Sequence, residues 1–230
     1  MAGIENFLLN KHYLPEQIDD LAQTLKPFCQ SIRVSDETEK LLGSGGALWK
    51  ARGILRRHEF FIIANGDEVM IPKDPQILKK LVRHFKDTDS LCTLLTTDHQ
   101  ELLKSLKPVW TLNGEVKAFG MEKPDSSFQP VHYTGYKVFS RKILDWLPDG
   151  ESNIFYEVLV DAISQGQTVT HLHINNCPWF ETGNPDSFLN AGTILGNQFL
   201  DQVNERRVFF NLEPIRFENN QTYQEVLHES

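Results

Sequence analysis

Short apolar runs that alternate with helical stretches are the feature that most constrains the fold of this chain. Glu59–Ala64 (EFFIIA) and Leu91–Thr96 are nearly continuous apolar runs, which is typical of strands covered on both faces in a parallel sheet. Helical patterns fall at Pro15–Leu25, Gly45–Leu55 and Pro75–Phe85. Further strands are expected at Phe7–Leu9 and Ile32–Val34. This order predicts an α/β fold on a Rossmann-like, mostly parallel sheet with helices on both faces.

The second half of the sequence has a different pattern. Within Val109–Phe119, Asn113 and Gly114 separate two apolar runs, and Asn-Gly at that place is a strong hairpin signal because both turn residues need positive φ. We expect an antiparallel hairpin and lid subregion on the parallel base. Further predicted elements are strands at Val131–Phe139 and Thr168–Ile174 and helices at Ile143–Leu147, Ile154–Ile163 and Pro185–Val203. The expectation is a single domain over residues 1–230, with residues 196–230 as a C-terminal tail.

Composition excludes two classes of partner. The 23 Lys and Arg residues against 31 Asp and Glu residues give a formal net charge of −8. An acidic balance argues against a protein that coats nucleic acid or an anionic membrane, since both need a basic face. No apolar run approaches the roughly 20 residues that span a bilayer. The 3 cysteines are far apart and form no disulfide framework, so we expect a cytoplasmic protein.

The first candidate site is the glycine-rich run Gly43-Ser44-Gly45-Gly46, just before a predicted helix. Glycines let backbone approach a ligand closely, and a helix N-terminus favours polar or anionic groups. The run lacks the Gly-Lys-Ser/Thr of a Walker A loop, and Ser44 does not fit a nucleophile elbow. A simple chain turn explains the run equally well.

The second candidate is Asn65-Gly66-Asp67, at the end of the apolar run EFFIIA. Ligands in open α/β sheets bind beyond the carboxyl ends of the strands. An Asp at that place is suited to Mg²⁺, which takes one or two carboxylates together with substrate phosphates. The structural alternative is an ordinary turn with a capping Asp.

Two later segments add charged groups. Glu122-Lys123-Pro124 follows the hairpin, and a strand-end Lys can contact a phosphate as a point charge. Glu181, just before the helix at Pro185, is a candidate second metal carboxylate. The same stretch also reads as a helix cap, with Asn184 before the proline. Either segment alone is a weak signal.

In this order the motifs resemble the sugar-phosphate nucleotidyltransferases, close to the mannose-1-phosphate guanylyltransferase and N-acetylmuramate-1-phosphate uridylyltransferase group. The resemblance covers residues 3 to about 195. Each motif is modest, but their common order is specific. The matching segments are GIENFLLNKHYLPEQI (3–18), LLGSGGAL (41–48), IIANGD (62–67), MEKP (121–124), HYTGYKVFS (132–140) and WFETGNPDSFL (179–189).

The resemblance implies a reaction and a set of roles. The family transfers a nucleoside monophosphate from an NTP to a sugar-1-phosphate and releases pyrophosphate. Asp67 and Glu181 would bind Mg²⁺, although the family usually has Asp at the second position, and Lys123 would hold the sugar phosphate. The remaining substrate-binding positions it implies are Gly43, Ser44, Gly45, Gly46, Asn65, Gly66, Glu122, Thr134 and Gly135.

The largest departure from the family lies at the start of the chain. The family begins with a strand, a Gly-x-Gly-x-Arg-Leu phosphate loop and a helix, and residue 3 already resembles the end of that helix. The segment without a counterpart is roughly 30 to 40 residues, about one strand-loop-helix unit. A misplaced start codon, a deliberate truncation and a degenerate paralogue all remain open, and the first is favoured. Without that strand, its neighbours are expected to have unpaired backbone groups.

Two other functions remain open at this stage. A non-catalytic paralogue that binds a nucleotide or nucleotide sugar and acts through a partner would explain an absent phosphate loop. A glycosyltransferase that uses a nucleotide sugar is disfavoured, because Asn65-Gly66-Asp67 offers one acid where such enzymes commonly have an Asp-x-Asp pair. A homo-oligomer is a further possibility, since the C-terminal aromatic residues Phe209, Phe210 and Phe217 could dock on a partner chain.

Overall fold

The computed structural model describes residues 3–209 and residue 213 of the 230-residue chain. It divides into two compact units. The larger unit contains the residues up to 65 and residues 72–177, and the smaller unit contains residues 66–71 and those from 178 onward. The single domain expected over residues 1–230 stays a prediction, and Phe210 and Phe217 lie outside the described residues.

Strands and helices follow the predicted order closely. The strands are β1 (Asn6–Lys11), β2 (Ser31–Asp36), β3 (Phe60–Ala64), β4 (Glu68–Met70), β5 (Cys92–Thr97), β6 (Val109–Leu112), β7 (Glu115–Phe119), β8 (Gln129–Ser140), β9 (Val169–Ile174) and β10 (Trp179–Glu181). The α-helices are α1 (Pro15–Leu25), α2 (Gly43–Leu55), α3 (Ile77–Thr88), α4 (Val160–Ser164), α5 (Pro185–Gln198) and α6 (Leu200–Phe209). Short 3₁₀ segments lie at Lys26–Phe28 and Arg141–Asp145, and a π-helical segment at Ile154–Leu159.

The main sheet of the larger unit has the strand order β3-β8-β5-β9-β7-β6. It is a mixed sheet, so the α/β fold class is confirmed and the predicted mostly parallel arrangement is confirmed only in part. Only β5 and β9 pair in parallel within it. The reason is β8, which runs antiparallel between β3 and β5 and separates two strands that point the same way. The predicted hairpin is confirmed, with Asn113 at φ 53° and Gly114 at φ 81° between β6 and β7.

The prediction that EFFIIA is covered on both faces is wrong for the described chain. Phe60, Ile62 and Ile63 are half-buried and Ala64 is exposed, whereas every residue of β5 is buried. In the described part of the chain β3 pairs with β8 alone, so its other edge is open. Arg141 N donates to Glu59 O, and Asn65 N donates to Gly135 O. These two bonds show that the odd-numbered residues of β3 form its backbone hydrogen bonds with β8. The alternate residues 60, 62 and 64 therefore direct their backbone groups to the open edge.

β1 has a similar open edge. It pairs in parallel with β2 and, among the described strands, with no other. Leu8 of β1 nevertheless packs against the same core as Phe61 of β3. Among the described strands, β1 and β3 therefore each pair along one edge only.

The smaller unit is built on two short strands and two helices. β4 pairs antiparallel with β10, which places Glu68 opposite Glu181. The single helix expected over Pro185–Val203 is two helices, α5 and α6, which meet at Phe199 with φ −131°. Asn184 caps α5 as expected, because its Oδ1 accepts a hydrogen bond from Ser187 N at 2.9 Å.

Candidate active site

The glycine-rich turn begins α2 and lies against residues 150–152 of the larger unit. Gly45 N donates to Ser152 O at 2.8 Å, and Ser152 N donates to Leu42 O at 3.0 Å. A methyl group on Gly45 would lie 2.4 Å from Ser152 Oγ. On Gly46 it would lie 2.5 Å from Gly150 O. Close packing against backbone therefore requires glycine at position 46, whereas a side chain at position 45 would force the Ser152 hydroxyl to move.

The rest of the turn is also tied to neighbouring backbone. Gly43 has φ +70°, and a Cβ there would lie 2.7 Å from Ser152 O. The Ser44 hydroxyl accepts a hydrogen bond from Ile154 N at 3.0 Å, at the start of the π-helical segment. Gly45 and Gly46 are buried, whereas Gly43 and Ser44 are exposed. A ligand at this turn would therefore meet the backbone of Gly43 and Ser44 first.

Asp67 and Glu181 come together in the smaller unit. Asp67 O accepts hydrogen bonds from Thr182 N at 2.7 Å and from Thr182 Oγ1 at 2.9 Å. Together with the pairing of β4 and β10, these bonds hold the two segments side by side. Both acidic side chains are exposed, as a group that binds a substrate-bound ion should be.

Gly183 lies beside both carboxylates. A Cβ built on Gly183 would lie 3.1 Å from Asp67 Oδ2 and 3.5 Å from Glu181 Oε1. Both oxygens therefore border the space that a side chain at residue 183 would occupy. In the described part of the chain, no three His, Cys, Asp or Glu side chains group to hold a metal ion. Two carboxylates are the number with which proteins commonly hold Mg²⁺ beside substrate phosphates, so the pair fits that ion.

Glu122 and Lys123 lie on an exposed loop after β7 in the larger unit. Lys123 Nζ donates to Ser126 O at 3.4 Å, a long bond that leaves the ammonium accessible. In the same loop, hydrogen bonds from the hydroxyl and N–H of Ser127 lower the pKa of Asp125. The loop therefore presents an accessible cation beside an ionised carboxylate.

Three other predicted positions meet at β8. Asn65 N donates to Gly135 O at 3.1 Å, and Gly135 has φ +90°, so the end of β3 is tied to β8. Thr134 is fully buried, and its hydroxyl donates to Leu95 O at 3.0 Å. The Thr134 hydroxyl is thus already engaged within the sheet. The roles that the resemblance implies for these residues stay predictions.

Sequence reasoning missed two residues that shape the glycine-rich turn. Ser152 supplies the surface on which the glycines pack, and no sequence signal marks it. Glu37 follows β2, is 1% exposed, and accepts a hydrogen bond from the Leu42 N–H just before the turn. In the sequence Glu37 is one acid among several in SDETEK, so nothing distinguishes it.

The family of the chain follows from comparison with known proteins. A profile of the nucleotidyl transferase family matches residues 1–198. The match spans most of the chain, and the protein belongs to the nucleotidyl transferase family. The predicted resemblance to sugar-phosphate nucleotidyltransferases is confirmed.

Solved structures share the fold at low sequence identity. HddC from Yersinia pseudotuberculosis superposes with a TM-score of 0.60 at 18% identity, over 83% of this chain and 78% of that one. The inositol-1-phosphate CTP transferase from T. maritima gives 0.62 at 18% identity, over 80% and 73%. UDP-glucose pyrophosphorylase from Acinetobacter baumanii gives 0.62 at 17% identity, over 90% and 83%. No curated protein sequence matches the chain.

None of the helices in the described part of the chain combines the length and the apolar character that crossing a bilayer requires.

Proposed function

We propose that this protein transfers a nucleoside monophosphate from an NTP to a sugar-1-phosphate, with release of pyrophosphate. Membership of the nucleotidyl transferase family supports the transfer reaction. The similar structures include an inositol-1-phosphate CTP transferase and a UDP-glucose pyrophosphorylase, whose names support a phosphorylated polyol or sugar as acceptor.

The observation on which the proposal rests is the carboxylate pair Asp67 and Glu181. The two acids come from distant parts of the sequence, yet the Thr182 hydrogen bonds to Asp67 O hold their segments together. Both carboxylates border the space beside Gly183. Two carboxylates on neighbouring segments repel each other. A cation bound between them would remove that repulsion and find two of the oxygen ligands that Mg²⁺ prefers.

Each group of residues has one task in the proposed reaction. Asp67 and Glu181 would hold Mg²⁺, which when bound neutralises phosphate charge. Lys123 attracts the acceptor phosphate as a point charge, and its exposed loop lets it adjust to the substrate. The Gly43 and Ser44 backbone receives the nucleotide. A phosphate oxygen of the acceptor attacks the α-phosphorus in line, and the pyrophosphate leaves with its electron pair. Positioning and charge neutralisation supply most of the acceleration.

The test is a pyrophosphate-release assay with Mg²⁺, each of the four common NTPs and a panel of sugar-1-phosphates. Asp67→Asn keeps the size of the side chain and removes its charge. We expect it to lower kcat/KM at least about a hundredfold, on the order of one lost electrostatic contact to the transition state. Asp186→Asn is the matched control, because Asp186 is exposed in the first turn of α5 in the same unit.

Three outcomes separate the possibilities. Loss of turnover in Asp67→Asn alone supports the assignment. Equal activity of Asp67→Asn and wild type overturns the metal pair. Binding of NTP without pyrophosphate release by wild type, across the whole panel, overturns the catalytic proposal and favours a nucleotide-binding paralogue.

A further inference from the structure

Glu37 is a buried carboxylate for which the proposed reaction has no direct use. It is 1% exposed, and Oε1 has no hydrogen-bond partner among the described residues. Burial without full hydrogen bonding makes the ionised form costly, and this desolvation raises the pKa of Glu37 above its ordinary value of 4.5. A neutral residue of the same shape would fold at lower cost. The buried carboxyl group therefore calls for an explanation beyond stability.

The contacts of Glu37 join three elements at the base of the glycine-rich turn. Its N–H donates to Lys11 O at 2.8 Å, at the end of β1, and its C=O accepts from His12 Nδ1 at 2.6 Å. The carboxylate accepts from the side chain of Asn10 and from the backbone N–H of Leu42. Leu42 is the residue before Gly43, so this bond is made at the start of the turn itself.

The groups around Glu37 carry charge of both signs. Lys50 of α2 lies near the carboxylate, and so does His12, and both favour its ionised form. Lys50 Nζ also donates to Asp36 O, which ties α2 to the end of β2. Lys11 forms ion pairs with Asp19 at 2.7 Å and Asp36 at 3.4 Å. These neighbours favour the ionised form, whereas burial opposes it more strongly, and the pKa of Glu37 is raised.

We propose that Glu37 is a positioning residue that fixes the backbone of the glycine-rich turn for the nucleotide. This role of Glu37 rests on the proposed function, and it concerns how the turn is held rather than what the turn binds. In its ionised form, Glu37 is a stronger hydrogen-bond acceptor for the Leu42 N–H than in its protonated form. That bond sets the direction of the backbone N–H groups of Gly43 and Ser44. The buried carboxylate lowers the free energy of unfolding, and in return it holds the turn in one conformation.

Glu37→Gln separates this role from a purely structural one. Glutamine keeps the shape and an acceptor oxygen but removes the charge. Because the folded-state pKa of Glu37 is raised, the stability that protonation supplies is present below the unfolded-state pKa and is lost as pH rises through the folded-state pKa. Above that pH, Glu37→Gln should unfold at a higher temperature than wild type. At the same pH it should bind the preferred MgNTP about tenfold more weakly, the worth of about one charged hydrogen bond.

The experiment compares wild type, Glu37→Gln and Glu39→Gln. Glu39 is exposed two residues further along the same loop, so its variant makes the same change in net charge. Thermal unfolding, calorimetric binding of each of the four NTPs with Mg²⁺, and amide hydrogen exchange of Leu42–Gly46 are measured from pH 5 to pH 8. We expect faster exchange and weaker binding in Glu37→Gln alone. The wild-type affinity should fall as pH drops through the raised pKa, and the affinity of Glu37→Gln should be flat there.

Two results would overturn the inference, and neither is the same as failure of the proposed function. Unchanged amide exchange at Leu42–Gly46 in Glu37→Gln would show that the carboxylate does not hold the turn. Unchanged affinity with a parallel pH profile would show that the held turn does not matter for the nucleotide. If wild type binds no NTP, the proposed function fails, and the exchange data still decide whether Glu37 positions the turn.

Discussion

Replacement of Gly45 by alanine tests whether the glycine-rich turn exists for packing. The added methyl group would lie 2.4 Å from Ser152 Oγ and 3.1 Å from Ser152 O. Forcing an extra methyl group into a packed site costs about 1–3 kcal/mol. Alanine in a helix recovers about 1 kcal/mol relative to glycine. We therefore expect Gly45→Ala to lower the free energy of unfolding by up to about 2 kcal/mol.

Ser152→Ala should reverse that loss. It removes the oxygen that the methyl group meets first, together with a buried hydroxyl that has no hydrogen-bond partner among the described residues. The backbone bonds of Ser152 to Leu42 and Gly45 remain. The double variant should then be at least as stable as wild type, and the double-mutant cycle should show a favourable coupling of about 1–3 kcal/mol.

Urea unfolding followed by circular dichroism measures all four proteins. Gly53→Ala is the internal control, because Gly53 lies in the same helix, is exposed, and has nothing within 4 Å of an added Cβ. It should raise the free energy of unfolding by about 0.5–1 kcal/mol. If Gly45→Ala stabilises the protein as much as Gly53→Ala does, or if the coupling with Ser152→Ala is zero, the packing explanation is refuted.

Two other predictions concern the main sheet. Thr134→Val removes the buried hydrogen bond to Leu95 O, so we expect it to lower the free energy of unfolding in urea by about 1–3 kcal/mol. No loss of stability would show that the hydroxyl does not stabilise the sheet and is available to bind a sugar. Amide hydrogen exchange should alternate along β3. The amides of Phe61 and Ile63 should be protected by hydrogen bonds to β8, and the amide of Ile62 should exchange quickly at the other edge. Equal protection of all three amides would mean that another strand covers that edge.

Local patterns were sufficient to predict most of the elements. The helix expected at Pro15–Leu25 has those bounds, and the Asn-Gly turn lies where the hairpin was expected. Each of these features depends on neighbouring residues alone, on side-chain periodicity or on the φ values that a two-residue turn requires. Such local signals can be interpreted without knowledge of the tertiary structure.

Strand pairing could not be predicted in the same way. The run EFFIIA is apolar enough for a central strand, yet among the described strands β3 pairs with β8 alone, and Ala64 is exposed. A continuous apolar run indicates that a strand can be buried, but it does not indicate which strands pair with it. The twelve-residue strand β8 lies between β3 and β5. Its position and direction depend on contacts with residues that are distant in the sequence. The parallel sheet was therefore overestimated.

The acids of the candidate site show the same division. Asp67 stands at a strand end, so position in the sequence already suggests a role for it. Glu37 carries no such signal, because it follows β2 on the side of the exposed Arg33, where a solvated acid is ordinary. It is buried because the end of β1 and the start of α2 close over it, through Asn10 and Leu42. A sequence pattern reports the face of one strand, whereas the burial of a charge depends on what other elements place above that face. A positioning residue of this kind therefore becomes visible only when the contacts around the turn are known.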